Sequence, residues 1–215
     1  MTYQTRLVNN TFQKMLYTPM FMVDNGYITE SDCDLITAIM GNKPLGVGEQ
    51  FDAYANDPLN QRNAKTHFIN QPDNETSWIY EKLNTIISYY NDVYYGFDLT
   101  GYDYLQYTEY EPGGKHEFHM DMALDTNPGV MKNIDYLVNE NLRKLTVVLV
   151  LNRPGIDYVG GDFQLNHFSE NHPITVPAQK GTVMMIPSYM LHRVTPVISG
   201  VRKTLVSWVI GPKFR

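Results

Sequence analysis

The sequence predicts an α+β protein that is mainly β, with two helices before a series of short strands. Three observations support this prediction. Apolar residues recur at three- and four-residue intervals before residue 95, β-branched and aromatic residues dominate after Gly96, and Gly or Pro interrupts this second part about every ten residues. About eight short strands of this kind close as a sandwich or jelly roll, and the helices are then expected to cover one outer face.

Two helices are predicted in the first part of the chain. The first lies within residues 19–41, where its apolar residues have near-helical spacing. Thr29 or Ser31 is a suitable N-cap for it, and Gly41 is a natural end. The second spans Thr76 to Tyr90, whose apolar residues again recur at three- and four-residue intervals.

A polar segment, residues 41–75, separates the two helices. It is rich in Asn, Asp, Gln, Gly and Pro, which predicts a long loop or an insertion with one short strand-like piece, Thr66–Ile69. The strands expected after Gly96 are 102–110, 116–121, 144–151, 162–165, 174–176, 182–186, 191–197 and 203–210.

Length and composition suggest one soluble domain. The 215 residues are predicted to form a single domain, 1–215, in which 19–95 are a helical and loop support and 100–212 are the β core. The formal net charge of −6 lacks the basic surface that nucleic acid requires, so nucleic acid is disfavoured as a partner. No apolar stretch is long enough to span a membrane, and the single cysteine, Cys33, permits no internal disulfide. A cytoplasmic location is therefore expected, while nothing in the composition selects a dimer over a monomer.

The pattern His119-Met120-Asp121 begins a candidate metal site. Residues i and i+2 of a strand point to the same face, so His119 and Asp121 are expected to project inward together while Met120 points away. This pattern alone is weak, and an ordinary strand histidine beside an unrelated carboxylate stays open. His192 is the candidate for a third ligand, because two histidines and one carboxylate on one face of an octahedron leave three positions open for non-haem Fe(II) chemistry.

Strand parity separates Arg202 from the basic residue next to it. In an extended strand, Arg202 and Thr204 lie on one face while Lys203 lies on the other, so only one of the two cations can face a cavity. The planar fork of an arginine matches a carboxylate in a way that lysine does not. A buried arginine without a partner is costly, which predicts an anionic ligand at Arg202.

Four segments of the chain keep the order and spacing of one known family. Residues 21–36 look like its opening strand and first helix, and 110–121 look like its Tyr-x-x-Gly segment leading into His-x-Asp. Residues 145–163 look like its central strands with a Gly-Gly hairpin. The segment 192–208 supplies the distal histidine, an arginine and a closing tryptophan. From about Phe21 to Pro212 the chain thus resembles the Fe(II)- and 2-oxoglutarate-dependent oxygenases, in particular the prolyl 4-hydroxylase-like branch.

The resemblance implies a double-stranded β-helix with an iron centre inside. His119, Asp121 and His192 would hold Fe(II), and Arg202 would bind the distal carboxylate of the cosubstrate 2-oxoglutarate. Tyr110 occupies the place of a family tyrosine that lines the cosubstrate pocket, although a simply packed strand tyrosine is an equal alternative. Thr204 faces the same cavity by parity and could add a hydroxyl. The resemblance also implies O2 as oxidant and ascorbate as an accessory cofactor.

The implied reaction is hydroxylation of an unactivated C–H, with a prolyl residue of a peptide or protein as the first candidate substrate. A free amino acid, another side chain and a small metabolite remain alternatives, as does a jelly-roll binding module without turnover. The loops 42–75 and 125–141 are candidate lids over a substrate. His116 stands where the family often has tyrosine, and it is expected either to contact substrate or cosubstrate or to lie on the strand surface.

Overall fold

The computed structural model describes residues 19–47, 63–122, 141–166 and 172–214. Residues 48–62 of the first predicted lid and 125–140 of the second lie outside the described residues, whereas 42–47 and 63–75 are described. The strands in chain order are β1 (Met22–Asp24), β2 (Gly46–Val47), β3 (Lys65–Ile69), β4 (Gly101–Tyr110), β5 (His116–His119), β6 (Asn141–Val150), β7 (Tyr158–Gly160), β8 (Phe163–Leu165), β9 (Ile174–Thr175), β10 (Val183–Pro187), β11 (His192–Val194), β12 (Val197–Gly200) and β13 (Arg202–Pro212).

The first helix, α1, spans Glu30–Gly41 and begins at a capping box. The Asp32 backbone N–H donates to the Thr29 hydroxyl at 3.1 Å, and the Thr29 backbone N–H donates to the Asp32 carboxylate at 2.8 Å. Thr29 rather than Ser31 is thus the N-cap, and the predicted end at Gly41 is confirmed.

The second helix, α2, spans Ser77–Tyr90 and continues as a π-helix, Asn91–Tyr95. The helical prediction is confirmed, but the chain stays helical for five residues beyond the expected end. Gly96 closes the turn with φ +63°, a conformation that favours glycine. The Asn91 side chain accepts from the Phe97 N–H and donates to the Phe97 carbonyl, which holds the chain as it turns toward β4.

A seven-stranded antiparallel sheet in the order β1-β10-β6-β13-β4-β3-β2 packs against a four-stranded sheet in the order β5-β11-β8-β9, and β12 pairs with β7. One face of the large sheet forms a core with the helices, and Leu145 and Leu205 of the sheet belong to the same buried cluster as Ile36 and Leu83 of the helices. The opposite face forms a second core with the small sheet. The predicted jelly roll with helices on one outer face is confirmed.

The predicted strand 191–197 is wrong as a single element, because it divides into β11 and β12. Pro196 lies between the two strands and has no N–H for a strand ladder. The backbone N–H of Thr195 donates instead to Asp162, and that of Val197 donates to Gly114. The chain thereby crosses from the small sheet to the pair formed with β7.

No helix in the described parts of the chain is long and apolar enough to cross a membrane.

Candidate active site

His119, Asp121 and His192 come together between the two sheets. Their nearest ligand atoms all lie within 4.8 Å of one another. The Nε2 atom of His119 is 3.6 Å from Oδ1 of Asp121, and Nε2 of His192 is 3.3 Å from Oδ2. Two cis ligands on a metal with bonds of about 2.1 Å stand about 3.0 Å apart, so this cluster matches the size of a metal site.

Both imidazoles are oriented by the backbone. Nδ1 of His119 lies 2.7 Å from the Glu117 carbonyl oxygen, and Nδ1 of His192 lies 2.8 Å from the Met190 carbonyl oxygen. A carbonyl can only accept, so each Nδ1 carries the proton and donates it. Each Nε2 is then the nitrogen that faces the Asp121 carboxylate and that would bind a metal, which is the arrangement that a metal-binding histidine requires.

The Asp121 carboxylate is fixed from the other side by a hydroxyl. Oγ1 of Thr146 donates to Oδ2 of Asp121 at 2.7 Å and also lies 3.1 Å from Oγ of Ser188. Burial acts to raise the pKa of Asp121, but the two neighbouring imidazoles, His192 first, hold that pKa well below its usual range. Asp121 is therefore an ionised carboxylate, the form that binds a metal ion.

Strand pairing places the two histidines together, but Asp121 reaches the site differently from the sequence prediction. His119 pairs with His192 across β5 and β11. The strand β5 ends at His119 rather than at Asp121, so parity along one strand was the wrong reason for their shared direction. The Asp121 and Met122 backbone N–H groups both donate to the Ser188 carbonyl, which turns the chain and aims the carboxylate inward. Met120 is 42% exposed, as expected for a side chain pointing away.

A cavity extends from the three residues into the space between the sheets. The residues that line it come from β4, β5, β6, β8, β11 and β13, with Asp121 following β5. They are Gln106, Tyr110, His116, His119, Asp121, Thr146, Val148, Phe163, His192, Val194, Arg202, Thr204, Val206 and Trp208.

Arg202 lies in this cavity and is 2% exposed. Among the described residues no carboxylate forms an ion pair with it, and its Nε atom is buried without a hydrogen-bond partner. Lys203 points to the other face, where its Nζ lies 3.3 Å from Glu109. The parity prediction is therefore confirmed, and a buried guanidinium of this kind calls for an anion in the cavity.

Tyr110 and Thr204 lie in the cavity beside Arg202. Tyr110 pairs with Arg202 across β4 and β13, and the guanidinium carbon is 5.4 Å from the centre of its ring. The Thr204 hydroxyl is buried without a hydrogen-bond partner among the described residues. A polar ligand in the cavity would satisfy it.

The remaining histidines divide between the cavity and the surface. His116 lines the cavity and stacks on His119 with ring centres 3.6 Å apart, so it is not a surface residue. His67 lies 3.2 Å from the Pro44 carbonyl, away from the cavity, and His167 is outside the described residues. Arg193 is likewise remote from the cavity, because it donates to the Gln164 side chain.

The sequence did not predict the place of Arg143 next to the metal cluster. Its guanidinium donates to the Asp103 carboxylate at 2.7 Å, to the Tyr104 hydroxyl at 2.9 Å and, at 3.5 Å, to the backbone carbonyl of Asp121. It also stacks on Trp208. The register of β6 against β13 shifts between Val209 and Ile210, and no sequence pattern marks that shift.

Comparison with known proteins gives a family model and related proteins. Residues 105–210 match the model of the 2OG-Fe(II) oxygenase superfamily. A PKHD-type hydroxylase from Psychrobacter sp. is 34% identical over 103 residues, which are 48% of this chain and 36% of that protein. One from Herminiimonas arsenicoxydans is 33% identical over 104 residues, 48% of this chain and 41% of that protein. The chain thus spans less than half the length of these curated relatives.

Two solved structures share the fold over most of the chain. The viral collagen prolyl hydroxylase of Paramecium Bursaria Chlorella virus-1 superposes with a TM-score of 0.65 at 17% identity, covering 90% of this chain and 97% of that one. A prolyl-4-hydroxylase from Pseudomonas putida gives 0.62 at 15% identity, covering 91% and 94%. At these identities the likeness concerns the fold.

Proposed function

We propose that this chain, whose residues 105–210 match the model of the 2OG-Fe(II) oxygenase superfamily, is an Fe(II)- and 2-oxoglutarate-dependent dioxygenase. We assign the metal to His119, Asp121 and His192, and the cosubstrate pocket to Arg202, Tyr110 and Thr204. The observation that carries the proposal is the pair of Nδ1-to-carbonyl hydrogen bonds, which leaves both Nε2 atoms beside an ionised carboxylate as the nitrogens available to a metal.

The residues of the cavity fit both groups. Two imidazoles and one carboxylate on one side of a metal are the donor set of non-haem Fe(II) oxygenases. The unpaired Nε of Arg202 and the unpaired hydroxyl of Thr204 are donors for which a carboxylate is the natural acceptor. The cavity therefore offers metal ligands at one end and a buried cation at the other, as a dicarboxylate that chelates the metal requires.

When bound, the iron with 2-oxoglutarate and O2 would supply the oxidising chemistry for C–H hydroxylation, with succinate and CO2 as coproducts. The residues of this chain have other tasks. Thr146 holds Asp121 in one orientation, and Arg202 with Thr204 fixes the far end of the cosubstrate. The apolar walls at Val148, Phe163 and the neighbouring valines keep water from that end.

For the substrate we propose a prolyl residue in a peptide or protein. This proposal is supported by the solved structures of the same fold, whose names describe prolyl hydroxylases, and by the names of the PKHD-type hydroxylase relatives. The acidic composition, with a net charge of −6, also argues against a nucleic-acid substrate. A cytoplasmic location and one domain for residues 1–215 belong to the same proposal.

The cofactor assignment is tested by anaerobic absorption spectroscopy. Addition of Fe(II) and 2-oxoglutarate to the folded protein is expected to give a metal-to-ligand charge-transfer band, and His119→Ala is expected to abolish it. Arg202→Ala is expected to weaken 2-oxoglutarate binding while sparing the metal. A folded protein without the band would exclude this enzyme class and favour the jelly-roll binding module.

The substrate is tested by succinate formation from 2-oxoglutarate over a panel of compounds. Proline-containing peptides are expected to stimulate turnover, and hydroxylation is read by a mass increase of one oxygen atom on the peptide. Free proline, other amino acids and oligonucleotides serve as comparisons. Stimulation by one of these and by no proline-containing peptide would refute the prolyl substrate and leave the enzyme class intact.

A further inference from the structure

Arg202 lies between two cavities, and only one of them contains the metal cluster. The second cavity has Tyr158, Gly161 and Asp162 among its lining residues together with Arg202. The Arg202 side chain therefore forms part of the wall of both cavities. Among the described residues no carboxylate forms an ion pair with Arg202. The orientation of its side chain must therefore be set by uncharged groups that contact it.

Gly161 is one such group, because its missing side chain makes room for the arginine. A Cβ atom at Gly161 would stand 2.7 Å from Cδ and 3.6 Å from Nε of Arg202. It would also stand 3.0 Å from a methyl group of Val197, so both side chains would have to shift to admit it. Gly161 has φ +66° and follows β7 directly, where the chain turns toward β8.

Tyr158, at the start of β7, contacts the same arginine. Its side chain is buried, and burial raises the pKa of Tyr158 while the nearby Arg202 guanidinium opposes that rise. Tyr158 also pairs with Gly200, two residues before Arg202. The segment Tyr158–Gly161 thus lies against Arg202 at two places. The phenol of Tyr158 is near the guanidinium, and Gly161 is next to the Cδ atom.

We propose that Tyr158 and Gly161 are positioning residues that hold Arg202 in the direction required by the distal carboxylate of 2-oxoglutarate. This inference rests on the proposed function. Its physical basis is that a bidentate arginine–carboxylate pair depends on the angle between two planar groups. A displacement of Cδ moves that plane and leaves the metal cluster unchanged.

The experiment compares two ligands on the Mn(II)-loaded protein by titration calorimetry. 2-Oxoglutarate carries the distal carboxylate, whereas 2-oxopentanoate has the same chain length and chelating group but ends in a methyl group. Gly161→Ala is expected to weaken 2-oxoglutarate by about tenfold or more and to leave 2-oxopentanoate and Mn(II) affinity unchanged. Tyr158→Phe is expected to produce the same selective loss with a smaller magnitude, of about threefold.

Gly155→Ala is the matched control. Gly155 also has a positive φ, +76°, so an alanine there experiences the same kind of backbone strain, but its Cβ would meet no atom within 4 Å. Both ligands are expected to bind Gly155→Ala as they bind the wild type. An equal loss of 2-oxoglutarate affinity in Gly155→Ala and Gly161→Ala would overturn the inference.

The outcomes separate this inference from the proposed function. A wild-type protein that binds Mn(II) but not 2-oxoglutarate would refute the cosubstrate assignment and the inference with it. The inference would be refuted, and the proposed function kept, if the wild type bound 2-oxoglutarate more tightly than 2-oxopentanoate and Gly161→Ala and Tyr158→Phe kept the same preference. Circular dichroism checks folding, and if Gly161→Ala does not fold, an unchanged preference in Tyr158→Phe overturns the inference.

Discussion

The Arg143 guanidinium stacks on the indole ring of Trp208, with its central carbon 4.3 Å from the ring centre. The same guanidinium donates to the Asp103 carboxylate and to the backbone carbonyl of Asp121. Arg143 thus connects the closing tryptophan of β13 to the turn that carries a proposed metal ligand. Burial acts to lower the pKa of Arg143, but Tyr104, Asp121 and Asp103, in that order, raise it above its usual value, so the guanidinium stays charged.

Replacement of Arg143 is expected to weaken metal binding although Arg143 is not a ligand. Arg143→Leu removes the donor to the Asp121 carbonyl and leaves the Asp103 carboxylate without its partner. Loss of such an outer partner lowers metal affinity by about ten- to a hundredfold. Mn(II) titration measures the effect, and the control is Arg153→Leu, which removes an exposed ion pair to Asp157. Equal Mn(II) affinity in the two variants would contradict the prediction.

Substitutions of Thr204 and Ser207 are expected to have similar effects on the free energy of unfolding but different effects on cosubstrate binding. Both hydroxyls are buried without a hydrogen-bond partner among the described residues, but only Thr204 lies in the cavity. Thr204→Val and Ser207→Ala each remove an unsatisfied polar group, so each is expected to raise the free energy of unfolding or leave it unchanged, by up to about 1 kcal/mol.

The two variants are expected to differ in cosubstrate affinity. Thr204→Val should weaken 2-oxoglutarate binding by about three- to tenfold, because it removes a neutral donor, whereas Ser207→Ala should leave it unchanged. Chemical denaturation and calorimetry measure the two quantities. If Thr204→Val bound 2-oxoglutarate as tightly as the wild type, Thr204 would have no part in the cosubstrate pocket.

Residue spacing predicted the metal cluster better than it predicted the path of the chain around it. His119 and Asp121 do share a direction, but β5 ends at His119 and the hydrogen bonds to the Ser188 carbonyl supply the turn. Arg202 and Lys203 followed strand parity because β13 is regular at this end. Local periodicity is visible in a sequence, whereas a turn held by a residue far along the chain is not.

The same limit explains Arg143 and the split strand. The register shift between Val209 and Ile210 places Arg143 rather than Lys144 opposite Ile210, and it depends on the pairing of two distant segments. Pro196 was a visible sign that the strand 191–197 had to divide, since proline interrupts a ladder. The extension of α2 as a π-helix depends on the Asn91 side chain and its bonds to Phe97, which no helical periodicity predicts.

The capping box of α1 predicts that replacing Thr29, but not Ser31, lowers the free energy of unfolding. Thr29→Ala removes a hydroxyl that accepts from the Asp32 N–H and is expected to lower the free energy of unfolding by about 1 kcal/mol. Ser31, the alternative cap by sequence, lies inside the helix, and Ser31→Ala is expected to leave stability unchanged or slightly raised. Chemical denaturation of both variants measures this, and a larger loss in Ser31→Ala would contradict the assigned cap.

The thiol of Cys33 gives a prediction about stability in alkali. Cys33 is fully buried, and burial raises its pKa from 9.0 to about 11. Between these values the unfolded chain releases the thiol proton while the folded protein keeps it, so the unfolded state is favoured as pH rises. The contribution of the protonated thiol to the free energy of unfolding is fully present below pH 9. It is lost as the pH rises toward 11, by about 2 to 3 kcal/mol in total.

Comparison with Cys33→Ala isolates this effect, because several buried tyrosines also titrate in alkali in both proteins. The variant loses packing at every pH, so the wild type is expected to be the more stable protein near neutrality. The difference in free energy of unfolding between the two should then shrink as pH rises above 9, since only the wild type has a thiol to ionise on unfolding. Chemical denaturation at a series of pH values measures that difference, and a constant value up to pH 11 would show that the folded protein ionises Cys33 as readily as the unfolded chain.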